Sequence, residues 1–193
     1  MTTYAQLFAD VKAWVKRSDL DAQIPTFVKL AEAKFNRDLR VRQMEADFSG
    51  TIDANGEIAQ PAGFLAVKVL WPTAYDGLTL TAQSLESVVA RGTPTDAPSM
   101  FAVAGDSLRF DGTGSIAGVY YSSIPGLEAN STNWLATLAP DAYLFATLAE
   151  AAAYSMDAQQ ASVFGARGEA AIQQVISTDM RDRFSGPLVA RKR

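Results

Sequence analysis

The chain of 193 residues contains no histidine and no cysteine. Without histidine it lacks the side chain that most often moves protons near neutral pH, and a serine nucleophile would lack its usual base. Without cysteine it can form neither a disulfide nor a thiolate metal site. That fits a reducing compartment, or an assembly held together without covalent staples. Long apolar runs are missing as well. The longest, such as LATLA at 135–139, fall far short of the ~20 residues that span a bilayer. The opening MTTYAQLFAD has no positive n-region and no apolar h-region, so no signal peptide is expected. No GxSxG elbow is present. The one glycine-rich stretch, GTGSIAG at 112–118, has neither the GxGxxG spacing nor the GK[ST] ending of a phosphate loop, and it reads as a turn between strands. Asp106 and Asp111 flank a strand without the spacing of a calcium loop, and read as turn aspartates bonding their own backbone. No catalytic residue, no metal site and no cofactor is expected, and the chain reads as a non-enzyme.

Positive charge is scarce in the middle. Residues 1–46 carry 8 basic and 6 acidic side chains, residues 47–165 carry 3 and 12, and residues 166–193 carry 6 and 3. An acidic middle with mildly basic ends argues against a duplex-binding module, which needs lysine and arginine on the phosphates. What is present is globular: 48% of residues are hydrophobic and 20% charged, at a length that suits one domain, or one domain with an insertion.

Periodicity divides the chain into blocks. Tyr4, Leu7, Phe8, Val11, Trp14 and Val15 follow helical spacing, and Thr3 with Gln6 makes a capping box. A second helix of about 20 residues is predicted from Pro25, tolerated in a first turn, with Ile24, Phe27, Val28, Ala31, Phe35 and Leu39 as its stripe. Residues 46–131 read as a β-rich insertion. Asn-Gly in DANGE (53–57) signals a hairpin, and FLAVKVLW, MFAVAGDSLRF and SIAGVYYSSI supply strands of an antiparallel sheet or small sandwich. TAQSLESVVAR (81–91) reads as a short helix with Leu85, Val88 and Val89 inward. Residues 132–185 return to helix. Pro140 and Asp141 open an alanine-rich segment, and Asp157 caps a last helix whose stripe runs from Phe164 to Met180 and Phe184. Residues 186–193 are a short basic tail. The predicted class is α+β: residues 1–45 and 132–185 form a small helical bundle, with an antiparallel β domain inserted between them.

The stretch AEAKFNRDLRVRQMEADF (31–48) holds the densest charge. Lys34, Arg37, Arg40 and Arg42 lie mostly off the apolar stripe, beside Asp38. They suit either intrahelical pairs or acids on a neighbouring subunit.

IPTFVKLAEAKFNRDLRVRQME (24–45) closely resembles the second helix of the head-to-tail adaptor (connector) proteins of tailed bacteriophages, with the pattern I-P-x-F-x-x-L-A-E-x-x-x-N-R-x-L-R. QPAGFLAVKVLW (60–71), GTPTDAPSMFAVAGDSLRF (92–110) and NWLATLAPDAYLFATLAEAAAY (133–154) are similar to further segments of that family in the same order. The resemblance implies a virion protein without catalytic residues, located at the head–tail junction and in the host cytoplasm during assembly. It implies a homo-oligomeric ring, usually a dodecamer, docked under the portal protein, with DNA passing through the lumen unread and a next tail component (stopper, nozzle or terminator) below. Family tails commonly insert among portal subunits. SGPLVARKR matches no family motif, so its portal-binding candidates are chosen by chemistry: Pro187, Leu188 and Val189 as apolar anchors, Arg191, Lys192 and Arg193 for acids. Inter-subunit candidates are Lys34, Arg37, Arg40 and Arg42. The alternative is an accessory enzyme or a β-domain module binding a glycan or peptide, for which Trp71, Tyr75, Tyr120 and Tyr121 would have to cluster in the open.

Overall fold

A computed structural model describes residues 2–75, 77–92 and 96–183. In chain order it contains α1 (Tyr4–Val15), a 3-10 helix (Ser18–Gln23), α2 (Ile24–Asp38), a 3-10 turn (Arg42–Met44), β1 (Glu45–Thr51), β2 (Glu57–Ala59), β3 (Phe64–Pro72), β4 (Thr81–Ala82), α3 (Leu85–Arg91), β5 (Met100–Ala104), β6 (Ser107–Phe110), β7 (Ser115–Ser122), α4 (Leu127–Asn130), α5 (Trp134–Leu138), α6 (Pro140–Tyr154) and α7 (Ala158–Arg183). The class is α+β, mixed helix and sheet with antiparallel pairing dominant. Two compact units result: residues 1–43 with 124–193, and residues 44–123.

The helical unit joins the two ends of the chain. Thr3 and Gln6 bond each other's backbone in a capping box, and Lys16 ends α1 in the left-handed region at φ 53°. Leu7 and Val11 carry the buried face. α2 starts with Pro25 in its first turn and is 15 residues long, shorter than the periodicity suggested. The reason is the alternation that follows: Leu39 and Val41 are buried while Arg40 and Arg42 point away, a period of two that only extended backbone can satisfy. α1, α2 and α7 each pack against α6. A Cβ added at Gly168 of α7 would sit 3.2 Å from the Ala146 nitrogen, so alanine and glycine here let two helix axes come close. Asp157 caps α7 by accepting the Gln160 N–H at 2.9 Å. Trp14 and Met180, expected on apolar stripes, are 50% and 60% exposed.

In the β unit, one sheet has the order β1-β7-β3 and the other β2-β6-β5-β4. All neighbours are antiparallel except β4 and β5. A parallel pair needs a crossover, and α3 supplies it. Only Val88 of α3 is buried; Leu85 and Val89, predicted inward, are exposed, because a seven-residue helix on a sheet can bury little more than one turn's edge. Phe48, Leu70, Leu108, Phe110, Ile116 and Tyr120 anchor a core shared by both sheets.

Candidate functional site

No three acids among the described residues gather as a metal-holding group, and no helix there is long and apolar enough to cross a membrane. The chemistry of this chain lies in how its charges are distributed and held.

Residues 44–123 carry nine acidic and three basic side chains, a net of −6. All three cations are consumed inside the unit: Lys68 Nζ lies 2.6 Å from Glu45, Arg109 3.2 Å from Glu57, and Arg91 3.3 Å from Asp111. Asp47, Asp53, Glu86, Asp96 and Asp106 are exposed and meet no cation among the described residues. The outer surface of the β unit is therefore anionic with no free cation to offset it. Asp111, read from sequence as a local turn aspartate, instead binds a different segment. It is 2% exposed and accepts the Ser99 and Met100 N–H groups and the Ser99 hydroxyl.

The charged stretch that runs from α2 into the turn after it divides in three. Lys34 pairs across helices with Glu169 at 3.6 Å. Arg42 is tied to Asp182 and, at 3.5 Å, to Asp179. Asp179 is 5% exposed and also accepts the Arg42 N–H and the Arg183 guanidinium, so it locks the end of α7 to the segment after α2. Arg40 donates to the Asn36 and Leu39 carbonyls, its head folded onto its own backbone. Arg37 alone of the four is exposed with no ion pair to a described residue. The tail candidates Pro187, Leu188, Val189, Arg191, Lys192 and Arg193 lie outside the described residues. The aromatic candidates do not form an open cluster: Tyr120 is 8% exposed and Trp71 and Tyr121 are half-buried, leaving Tyr75 in the open.

Sequence reasoning passed over Glu32 and Asn36. One helical turn apart on α2, they catch the chain where it returns from the β unit. Asn36 Oδ1 accepts the Ile124 N–H at 2.8 Å, and Glu32 Oε1 accepts the Leu127 N–H at 2.7 Å and the Tyr143 hydroxyl at 3.4 Å. Asn133 donates to the Tyr143 oxygen and to the Pro125 carbonyl, each at 2.7 Å, and caps α5 through the Ala136 N–H. Burial raises the Tyr143 pKa. It also raises that of Glu32, against the two hydrogen bonds that favour the carboxylate. The sequence carries a signal for them: Glu32 and Asn36 are the glutamate and asparagine of the A-E-x-x-x-N-R run, four residues apart and so on one helix face.

The folded chain thus binds the Glu32 proton more tightly than the unfolded chain does. Its ionisation destabilises the fold as pH rises through the raised pKa, and the fold regains that stability as pH falls back. Glu32→Gln keeps an acceptor for Leu127 and Tyr143 and removes this slope. Urea titrations between pH 4 and 8 should show E32Q at least as stable as the parent at the upper end. Glu32→Ala strands the Leu127 N–H and should lose about 1–3 kcal/mol.

A family model described as SU10 adaptor protein matches residues 2–191, nearly the whole chain. The chain belongs to the SU10 adaptor protein family. The resemblance to phage head-to-tail adaptors read from the four sequence segments is borne out, and this adaptor is a structural phage protein that works through other capsid and tail components. No curated protein matches it.

Proposed function

We propose that this adaptor assembles head to tail into a closed ring, docks beneath the portal, extends the DNA channel and offers its far side to the next tail component. The family match over residues 2–191 carries this reading. A ring of identical chains needs heterologous contacts that close, and unpaired charge on each copy sets their register. Arg37, exposed and without an ion pair among the described residues, is the member of the Lys34, Arg37, Arg40 and Arg42 set left to reach the acidic β unit of a neighbour. The net −6 of that unit also suits a wall past which DNA must move without sticking, since phosphates are repelled by uncompensated carboxylates. Pro187, Leu188, Val189, Arg191, Lys192 and Arg193 are assigned to the portal, apolar anchors first and cations after.

The experiment is assembly with purified portal, imaged directly. Rings of fixed copy number on the portal are expected. Deleting residues 186–193 should weaken capture by the portal tenfold or more while leaving the melting temperature unchanged; undiminished capture would remove the tail from the contact.

A further inference from the structure

Two apolar helix strips stay open in the folded chain, one in each unit, and each carries a charge left without an ionic partner among the described residues. The first strip is on α2. At about 100° per residue, Thr26, Leu30, Ala33 and Arg37 fall within roughly 60° of one another, opposite the buried Val28, Ala31 and Phe35. All four are exposed, Leu30 by 48%. The charges beside this strip are committed inside the helical unit. Lys29 pairs with Glu128 and Lys34 with Glu169, and Asp38 lies round toward α7, beside Lys34. Arg37 is the charge on the strip itself, and it has no ion pair with a described residue.

The second strip is on α3, in the β unit. Val88 is its buried residue, while Leu85 and Val89, one helical turn apart, are 40% and 54% exposed. Arg91 is drawn back to the buried Asp111. Glu86 remains. Its carboxylate is engaged by its own backbone N–H and by the Ser84 hydroxyl, which lower its pKa, and by no cation among the described residues.

Charge decides which strip meets which. α3 against α3 of another copy would bring together two units of net −6. α2 against α2 would offer neither Arg37 an acid, since the strip carries none. α2 against α3 satisfies both helices, and it joins two different patches of the chain, the head-to-tail kind of contact from which rings are built. The spacing fits as well. Arg37 follows Leu30 by seven residues, roughly 10 Å along the axis, and Glu86 precedes Val89 by three, roughly 5 Å. With Leu30 on Val89 and the helices running in opposite senses, the long arginine side chain covers the difference. Ala33, one turn from Leu30, lets the axes come close.

We propose that the outward strip of α2 docks on α3 of a second copy, with Leu30 against Leu85 and Val89 and Arg37 against Glu86. This rests on the ring reading and names the place on the neighbouring β unit that Arg37 reaches. Two short strips cover less than the roughly 1,200–2,000 Å² of a stable interface, so this contact is one part of the ring interface, the part that sets its register.

The test uses the full chain, with ring formation read by sedimentation and native mass beside the melting temperature of each variant. Leu30→Asp and Val89→Asp change exposed side chains, so both should melt like the parent and raise the concentration needed for half-assembly tenfold or more. Arg37→Glu should do the same at low salt, and Glu86→Gln, which keeps an acceptor for Ser84, should also weaken assembly. Combining Arg37→Glu with Glu86→Arg should restore it, a rescue that misfolding cannot mimic. The chain has no cysteine, so Ala33→Cys with Leu85→Cys introduces the sole thiols, and oxidised rings should run as a ladder of covalent oligomers. Rings that persist in L30D and V89D, cysteines that do not join copies, or no recovery in the charge swap overturn the α2–α3 pairing alone. A parent chain that stays monomeric with and without portal overturns the ring reading and the pairing with it.

Discussion

Asp111→Ala should lower the stability of the β unit by about 3–5 kcal/mol, the loss that follows when buried donors lose a shared ionic acceptor. The carboxylate is 2% exposed and holds the Ser99 and Met100 N–H groups at 2.8 Å each, the Ser99 hydroxyl at 2.9 Å and the Arg91 Nε at 3.3 Å. These donors bring the start of β5 and the end of α3 to one point beside β6. Burial pushes the Asp111 pKa up, but the three hydrogen bonds and Arg91 together outweigh it and hold the group below the usual carboxylate range. The stability it contributes is therefore complete above the unfolded pKa of 3.8 and disappears as pH falls through the lower folded value. Urea midpoints measured from pH 2.5 to 7 should show a steep acid limb in the parent. Asp111→Asn keeps one acceptor oxygen but turns an amide toward Arg91, so it should lose less stability than alanine and flatten that limb. An alanine variant with an unchanged urea midpoint would mean that water replaces all four donors without penalty.

The Asp111 contacts also mark where the sequence stopped being legible. Local signals were read well. The Thr3–Gln6 capping box, Pro25 in a first turn and Asp157 ahead of the last helix depend on neighbours within four residues, and each appears as expected. The strand pair around Gly105-Asp106 likewise follows from its own turn. Residues whose role depends on distant partners were misread or missed. Asp111 looked like a turn aspartate because its partners are 11 and 12 positions away. Glu32 and Asn36 were passed over because their partners lie 95 and 88 positions away. Leu85 and Val89 looked inward because helical spacing says which face is apolar, not how much of it a neighbouring sheet can cover. The charges of α2 and the turn after it were visible, yet their pairing was not: Lys34 and Arg42 find Glu169 and Asp182 on a helix that begins more than a hundred residues later. The net acidity of the middle, a property of composition, was legible at once. That its three cations are all paired internally, which leaves the surface purely anionic, needed the fold.

Gly118→Val should be the other severe substitution, and for a steric reason. Gly118 sits in β7, the central strand, opposite Phe48 of β1 and Leu70 of β3. A Cβ placed there would lie 2.3 Å from the Val69 carbonyl oxygen and 3.0 Å from the Leu70 Cα. Those are backbone atoms of the adjacent strand, so no rotamer change relieves the clash, and β3 must move. Leu70 is fully buried in the unit's core, so that movement disturbs packing as well as pairing. Overpacking of a close-packed interior costs about 1–3 kcal/mol when side chains can adjust. Here the obstacle is main chain, and a loss of at least about 3 kcal/mol is expected for valine, with alanine somewhat milder. Gly105 separates the two reasons for glycine. It turns β5 into β6 at φ +58° with nothing within 4 Å of an added Cβ, so Gly105→Ala should lose only the ~1 kcal/mol of left-handed backbone strain. Urea titration of both variants reads the difference directly. If G118V and G105A fall together, β7 and β3 are not held in the close approach that leaves no room for a side chain at position 118.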